Sequence, residues 1–140
     1  MSWNEYVSNL MAGNEVQDAA IAGCEPGAHS VWAAAPNGHF GKITPDELAV
    51  LMGKDRSSFF INGVTLGGVK CSVIRDRINE EGDWCMDLRT KSINGSETFN
   101  ISVAKSNKAV VIIKGCKDVH GGALNKKAFD MASHLRKSNY

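Results

Sequence analysis

Residues 69–114 read VKCSVIRDRINEEGDWCMDLRTKSINGSETFNISVAKSNKAVVIIK, and this stretch decides the fold. Val69–Arg75, Trp84–Lys91, Thr98–Ala104 and Ala109–Lys114 are strand-length segments rich in β-branched and apolar residues. Between them lie Glu80-Glu81-Gly82-Asp83, Ile93-Asn94-Gly95 and Ser106-Asn107, gaps that hold turn residues and are too short for a helical crossover. Strands joined this closely run antiparallel, so the second half of the chain predicts a meander.

Helical periodicity appears on either side of that sheet. Toward the amino terminus, residues 2–13 place Trp3, Tyr6, Val7, Leu10 and Met11 on one stripe, and Gly13-Asn14 ends the pattern. Val16–Ala22 and Ser30–Ala35 read as short strands about a Pro26-Gly27 turn, and Pro36-Asn37-Gly38 marks the next turn. Thr44-Pro45-Asp46-Glu47 is a capping box with proline at the first helical position, predicting a helix over Pro45–Met52 that stops at Gly53. Asp55–Phe60 predicts one more helical turn. After the meander, Gly121-Gly122 opens a long helix over Leu124–Lys137, with Leu124, Ala128, Met131, Ala132 and Leu135 on one stripe. The expected class is α+β in a single domain over residues 1–140. Its central antiparallel sheet carries the N- and C-terminal helices side by side on one face and short helices on the other.

Composition narrows the function. With 140 residues, 43% hydrophobic and 22% charged, the chain can bury a core without staples. No apolar run approaches the roughly 20 residues of a membrane span, and Met1-Ser2-Trp3-Asn4-Glu5 lacks the features of a signal peptide, so the expected location is the cytoplasm. Cys24, Cys71, Cys85 and Cys116 form no C-x-x-C pair, and no histidine is spaced to complete a zinc site with them; neither metal nor cofactor is expected. Residues 1–104 hold 8 Lys/Arg against 13 Asp/Glu, net −5, whereas residues 105–140 hold 8 against 2, net +6. That basic quarter fits an acidic partner surface or anionic headgroups, and a pI near 7.7 speaks against nucleic acid. Gly63-Val64-Thr65-Leu66-Gly67-Gly68 lacks the Lys-Ser/Thr of a phosphate loop, and no nucleophile elbow is present. The residues point to recognition rather than catalysis.

The two ends of the chain give that recognition a chemistry. Trp3 and Tyr6 are one helical turn apart, while His134, Leu135 and Tyr140 close the sequence. If the terminal helices lie side by side, these aromatics form a strip suited to an extended proline-rich peptide. Proline offers flat apolar rings, a backbone already held in the polyproline conformation, and carbonyls for Trp N–H and Tyr O–H donors.

Longer motifs run through the whole chain: Trp3-x-x-Tyr6-Val7, Ser30-Val31-Trp32-Ala33-Ala34, Ile43-Thr44-Pro45, Gly53-Lys54-Asp55-Arg56, and Asn62-Gly63-x-Thr65-Leu66-Gly67. Lys70 to Asp76, Met86 to Lys91, His120-Gly121-Gly122-x-x-Asn125-Lys126-Lys127 and His134-Leu135-Arg136 complete them. Together they resemble the profilin family, on its animal, vertebrate-like branch. The resemblance implies a non-enzymatic, monomeric protein of the cytoplasm and cytoskeleton. Such a protein binds monomeric actin, regulates its polymerisation and nucleotide exchange, and binds formin-like proline-rich proteins and phosphoinositide headgroups. The proline groove would comprise Trp3, Tyr6, Trp32, His134, Leu135 and Tyr140. The actin face, expected on the far side of the sheet and along the first half of the last helix, would draw on Phe60, Lys70, Val73, Arg75, Lys91, Thr98 and Asn100. His120, Gly121, Asn125, Lys126, Phe129 and Asp130 would complete it. Phosphoinositide contacts would fall to Lys70, Arg89, Lys91, Lys126, Arg136 and Lys137. Asp130 stands where the family favours Glu, Lys137 where a second Arg is common, and the Cys24–His29 loop is longer by one residue than is usual. The alternative is a proline-rich-peptide adaptor without actin binding.

Overall fold

The order of elements is α1 (Trp3–Met11), β1 (Val16–Gly23), β2 (Val31–Ala34), a 3₁₀ turn (Phe40–Lys42), α2 (Pro45–Leu51), α3 (Phe59–Asn62), β3 (Val64–Leu66), β4 (Val69–Arg77), β5 (Cys85–Thr90), β6 (Asn100–Lys105), β7 (Ala109–Gly115) and α4 (Gly121–Lys137). The computed structural model describes residues 2–140. All strands join one seven-stranded antiparallel sheet, ordered β2-β1-β7-β6-β5-β4-β3. The meander of the sequence is therefore its β4–β7 portion. The remaining strands extend both edges, β1 pairing with β7 and β3 with β4.

Alternation along the strands builds a core on each face. Ala20, Ala22, Leu88, Val103 and Ile112 face Leu48 and Leu51 of α2 and Phe59 of α3. Ala19, Ile21, Ala104, Val111 and Ile113 face Val7 and Leu10 of α1 and Leu124, Ala128 and Leu135 of α4. Terminal helices on one face and short helices on the other are as the sequence predicts. Truncating Leu48 or Leu51, both fully buried, to alanine should cost about 2–5 kcal/mol.

Local signals explain the boundaries. Ser2 and Glu5 form a capping box at α1, as Thr44 and Glu47 do at α2. The Glu47 carboxylate also accepts from the Gly67 and Gly68 amides, tying α2 to the β3–β4 turn. Both glycines have positive φ, 61° and 82°, as a tight two-residue hairpin requires, so the glycine-rich stretch is a strand and its turn. The helical turn expected over Asp55–Phe60 forms later, at Phe59–Asn62, because Arg56 is engaged elsewhere. Its guanidinium holds Asp76 through two hydrogen bonds, caps the Leu51 and Gly53 carbonyls, and stacks on Phe59. The last helix starts at Gly121 instead of Leu124, because the His120 Nδ1 accepts from the Gly122 amide and caps it.

Candidate functional site

The terminal aromatics do converge. Trp3 and Tyr6 come from α1, Trp32 from β2, His134 from the last turn of α4, and Tyr140 from the segment beyond it. The Trp3 ring centroid lies 4.8 Å from that of Trp32, 5.0 Å from Tyr140 in an edge-on pair, and 5.6 Å from Tyr6. Tyr6 and His134 rings are 5.6 Å apart, with the Tyr6 hydroxyl 3.4 Å from His134 Nε2. These are ordinary edge and tilted aromatic separations, yet Trp3, Tyr6 and Trp32 remain only half-buried and His134 and Tyr140 exposed. Leu135 is fully buried beneath the strip and offers it support rather than surface.

Tyr140 is held by a helix stop that aromatic spacing does not reveal. Asn139 adopts φ 70°, its amide donates to the Arg136 carbonyl, and the Tyr140 amide reaches back 2.8 Å to the Leu135 carbonyl. This is a Schellman closure with asparagine in the left-handed position. The Tyr140 main-chain oxygen then accepts from the Ser106 hydroxyl at 2.7 Å and from the Lys108 amide. The ring is fixed from its own backbone.

A second, polar surface lies at the opposite end of α4. Asp87 on β5 is its node: one oxygen accepts from Asn125 Nδ2 at 3.0 Å and Ser102 Oγ at 3.3 Å, the other from Arg75 Nε at 3.0 Å. Burial opposes the charge on Arg75, but its bond to Asp87 and the charges of Asp87 and Asp83 outweigh this and raise the guanidinium above its ordinary value. Arg89 donates to Thr98 Oγ1 and Asn100 Oδ1, each at 2.8 Å, and Asn100 Nδ2 donates to the Val119 carbonyl beside His120 and Gly121. A depression of about 350 Å³ opens among Arg75, Asp87, Asn100, Gly121 and Asn125.

This surface is not on the far side of the sheet, as the sequence led us to expect. Asn125 reaches Asp87 from α4, so it occupies the half of the same face that α4 leaves uncovered. Arg75 is there because of a bulge between Val73 and Arg75, which leaves Ile74 exposed and turns Arg75 toward Asp87. Val73 points the other way, 7% exposed in the short-helix core, and cannot be part of that surface. Lys70 and Lys91 sit together, joined by the Lys91 amide and Lys70 carbonyl, with the Lys91 stem against Gly63 just after α3. Phe60 on α3 is 60% exposed. Lys126 pairs with Asp130 at 2.8 Å along the outer side of α4, and Phe129 is half-buried beside them.

The basic residues do not form one patch. Lys70, Arg89 and Lys91 share the β4–β5 end of the sheet, whereas Arg136 and Lys137 close α4. Arg136 is also fully engaged: it stacks 3.7 Å over Trp84 and donates to Asn107 Oδ1 and the Lys105 carbonyl. Sequence reasoning missed Asp87 and Ser102, whose roles depend on a cross-strand register that no local signal encodes. Among the described residues no cluster of His, Cys, Asp and Glu could hold a metal, and no helix is long and apolar enough to cross a membrane.

The sequence matches the family described as Profilin over residues 1–140. Profilin-1 of Homo sapiens is 56% identical over 138 residues, covering 99% of this chain and 98% of that one. The crystal structure of rat profilin 2a superposes with a TM-score of 0.95 at 50% identity, covering 99% and 96%. Mouse profilin IIa, in complex with a double repeat from the FH1 domain of mDia1, superposes with a TM-score of 0.96 at 48% identity and full coverage of both chains.

Proposed function

This chain belongs to the profilin family, and on that premise we propose that it binds monomeric actin and proline-rich segments of other proteins. It regulates actin polymerisation as a binding protein, not an enzyme. The aromatic strip carries the reading: rings from α1, β2 and the end of α4 stand 4.8–5.6 Å apart and keep open faces. Trp3, Tyr6, Trp32, His134 and Tyr140 take the proline rings, with Leu135 supporting them from below. The mouse relative, in complex with a double repeat from the FH1 domain of mDia1, supports this class of ligand.

Actin is assigned to the polar surface at the start of α4. His120, Gly121 and Asn125 form its centre, with Arg75, Thr98 and Asn100 beside them and Lys126, Phe129 and Asp130 along the helix. Lys70, Lys91 and Phe60 extend it toward α3; Val73 contributes only through the core. Interlocked hydrogen bonds pre-position the central side chains, so little ordering cost remains on binding. Anionic phosphoinositide headgroups are assigned to the adjacent Lys70 and Lys91, with Arg89 and Lys126 at hand and Lys137 at the other end of α4. Arg136 is committed to Trp84, so headgroup contact there requires it to leave that stack. Residues 1–140 act as one domain, monomeric and located in the cytoplasm and cytoskeleton.

Gel filtration with monomeric actin, alongside retention on immobilised poly-proline, tests this. Co-elution and retention are expected together. Retention without co-elution would leave a proline-motif adaptor, and the absence of both would refute the proposal.

A further inference from the structure

Three asparagines in the chain are followed by glycine: Asn37-Gly38, Asn62-Gly63 and Asn94-Gly95. The pair is chemically labile, because a glycine nitrogen, unshielded by a β-carbon on its own residue, can close on the asparagine side chain. We propose that Asn94 is a site of spontaneous modification: it deamidates in the folded protein and yields a more acidic form, while the fold keeps Asn37 and Asn62 intact.

The chemistry needs no reagent but water. The Gly95 amide nitrogen gives up its proton to solvent and attacks Asn94 Cγ. The new C–N bond forms as the C–NH2 bond breaks, and ammonia leaves carrying the proton that solvent returns. Water then opens the cyclic imide at one of its two carbonyls, leaving aspartate, or isoaspartate with the main chain rerouted through Cβ. To bring nitrogen and Cγ together, the peptide joining the two residues has to rotate out of its place in the fold. Exposure does not separate the three sites, since all three asparagines are exposed. Freedom of that peptide does.

Gly63 donates to the Phe59 carbonyl at 2.8 Å, and a β-carbon built on it would fall 2.3 Å from the Cys71 carbonyl oxygen, so α3 and β4 clamp the peptide after Asn62. A β-carbon on Gly38 would fall 2.2 Å from the Asp18 carboxylate, which also holds the next two amides, of His39 at 2.8 Å and Phe40 at 3.0 Å. That buried carboxylate opposes the negative charge an attacking nitrogen must carry. Asn94 and Gly95 meet neither obstacle. They are the central pair of the β5–β6 turn, at φ 54° and 80°, within residues 91–97, which are exposed throughout. A β-carbon on Gly95 would meet nothing within 4 Å, and its amide makes no hydrogen bond among the described residues. The turn is held by its own bonds. The Ser96 amide donates to the Ile93 carbonyl at 3.1 Å, the Ile93 amide to Ser96 Oγ at 2.8 Å, and Ser92 Oγ to the Ser96 carbonyl at 2.8 Å. Just beyond it, the tie to another element is the exposed ion pair of Glu97 with Lys117, which contributes little. Opening this turn therefore disturbs no core contact. The added carboxylate takes the formal net charge from +1 to 0 and stands three residues past Lys91, at the sheet end shared with Lys70 and Arg89.

Folded protein and a guanidinium-unfolded sample, held side by side at mildly alkaline pH, provide the test, with mass-spectrometric peptide mapping of the three asparagines over time. In the folded protein Asn94 should convert at least about tenfold faster than Asn37 or Asn62, whereas unfolding should bring the three rates within about threefold of one another. Asn94→Gln, whose longer side chain closes the ring far more slowly, should suppress the acidic form seen by isoelectric focusing; thermal unfolding checks that the variant is folded. Equal rates at the three sites in the folded protein would overturn the proposal. So would the same preference for Asn94 in guanidinium, since the fold would then not be what selects it. An acidic form that accumulates as fast in Asn94→Gln would place the modification elsewhere and overturn it too.

Discussion

Trp3→Ala probes the proposed function most directly, because three of the four aromatic contacts of the strip pass through this one ring. Removing it loses the edge-on pair with Tyr140, the floor contact with Trp32 and the helical pair with Tyr6. At about 0.5–1.5 kcal/mol per aromatic pair, the loss within the folded chain amounts to a few kcal/mol, partly recovered as the neighbours relax. Helix α1 should nonetheless stay docked, since Val7 and Leu10 hold it by fully apolar contacts and the Ser2–Glu5 box caps it. We expect the unfolding midpoint to fall by roughly 5–10 °C without loss of cooperativity. Peptide binding should suffer more. A central aromatic anchor typically contributes at least about 2 kcal/mol, so affinity for a labelled ten-proline peptide should drop by about 30-fold or more in fluorescence anisotropy. Trp3→Phe, which keeps an apolar ring but not the N–H donor, should fall between parent and Trp3→Ala. A Trp3→Ala titration curve overlying that of the parent would refute the reasoning. So would an unchanged unfolding midpoint, since the ring would then not be the hub that its three contacts make it.

His120→Glu keeps an acceptor at the N-cap of α4, where a carboxylate suits the helix end, so the fold should survive. Actin affinity and acceleration of nucleotide exchange, followed with a fluorescent nucleotide, should each fall about tenfold or more while poly-proline retention is unchanged; unaltered exchange would place the contact elsewhere. Burial pushes the Cys85 thiol up to about 12, helped by Asp83 and Asp87, and the Cys71 thiol up to about 11, from an ordinary 9.0. Unfolded thiols therefore lose their protons first, the unfolded state binds fewer protons above pH 9, and stability falls as pH rises from there toward 11. Cys85→Ala should flatten that alkaline decline in unfolding midpoint, and a slope identical to the parent's would show the thiol to be uninvolved. Finally, a proline-rich peptide should bind actin-saturated protein with the affinity it has for free protein, within about twofold; displacement of the peptide by actin in sedimentation would contradict the placement of the two surfaces.

The sequence disclosed what short-range signals encode. Turn residues between the strands of residues 69–114 were enough for the meander, the apolar stripe from Trp3 to Met11 was enough for α1, and a capping box complete within four residues fixed the start of α2. The terminal aromatics were legible because their burial would be wasted at the ends of a chain unless they met, whereas Trp32 entered only through the family resemblance. What stayed hidden was set by partners distant in sequence. Strand β3 is three residues long and exists only because β4 pairs with it and Glu47 holds its turn. The side of the sheet occupied by Arg75 depends on one bulge, and a single added residue reverses every assignment made by alternation. Arg136 looked like a free surface cation, yet Trp84, at φ 49°, lies beneath it. Asn139 alone carried a readable signal that was overlooked: asparagine just past a helix end tolerates the left-handed conformation that folds Tyr140 back onto Leu135.

Both surfaces belong to α4, and its length decides how they can influence each other. His120 caps the start and His134 sits in the last turn, fourteen residues on, which at 1.5 Å per residue places them about 21 Å apart. That exceeds the Debye length of about 8 Å at physiological ionic strength, so a charge brought by one partner is screened before it reaches the other. Mechanical coupling is also restricted. Leu124, Ala128, Ala132 and Leu135 bury the whole inner stripe of α4 against β6 and β7, and a helix pinned at every turn cannot slide or rotate without breaking that packing.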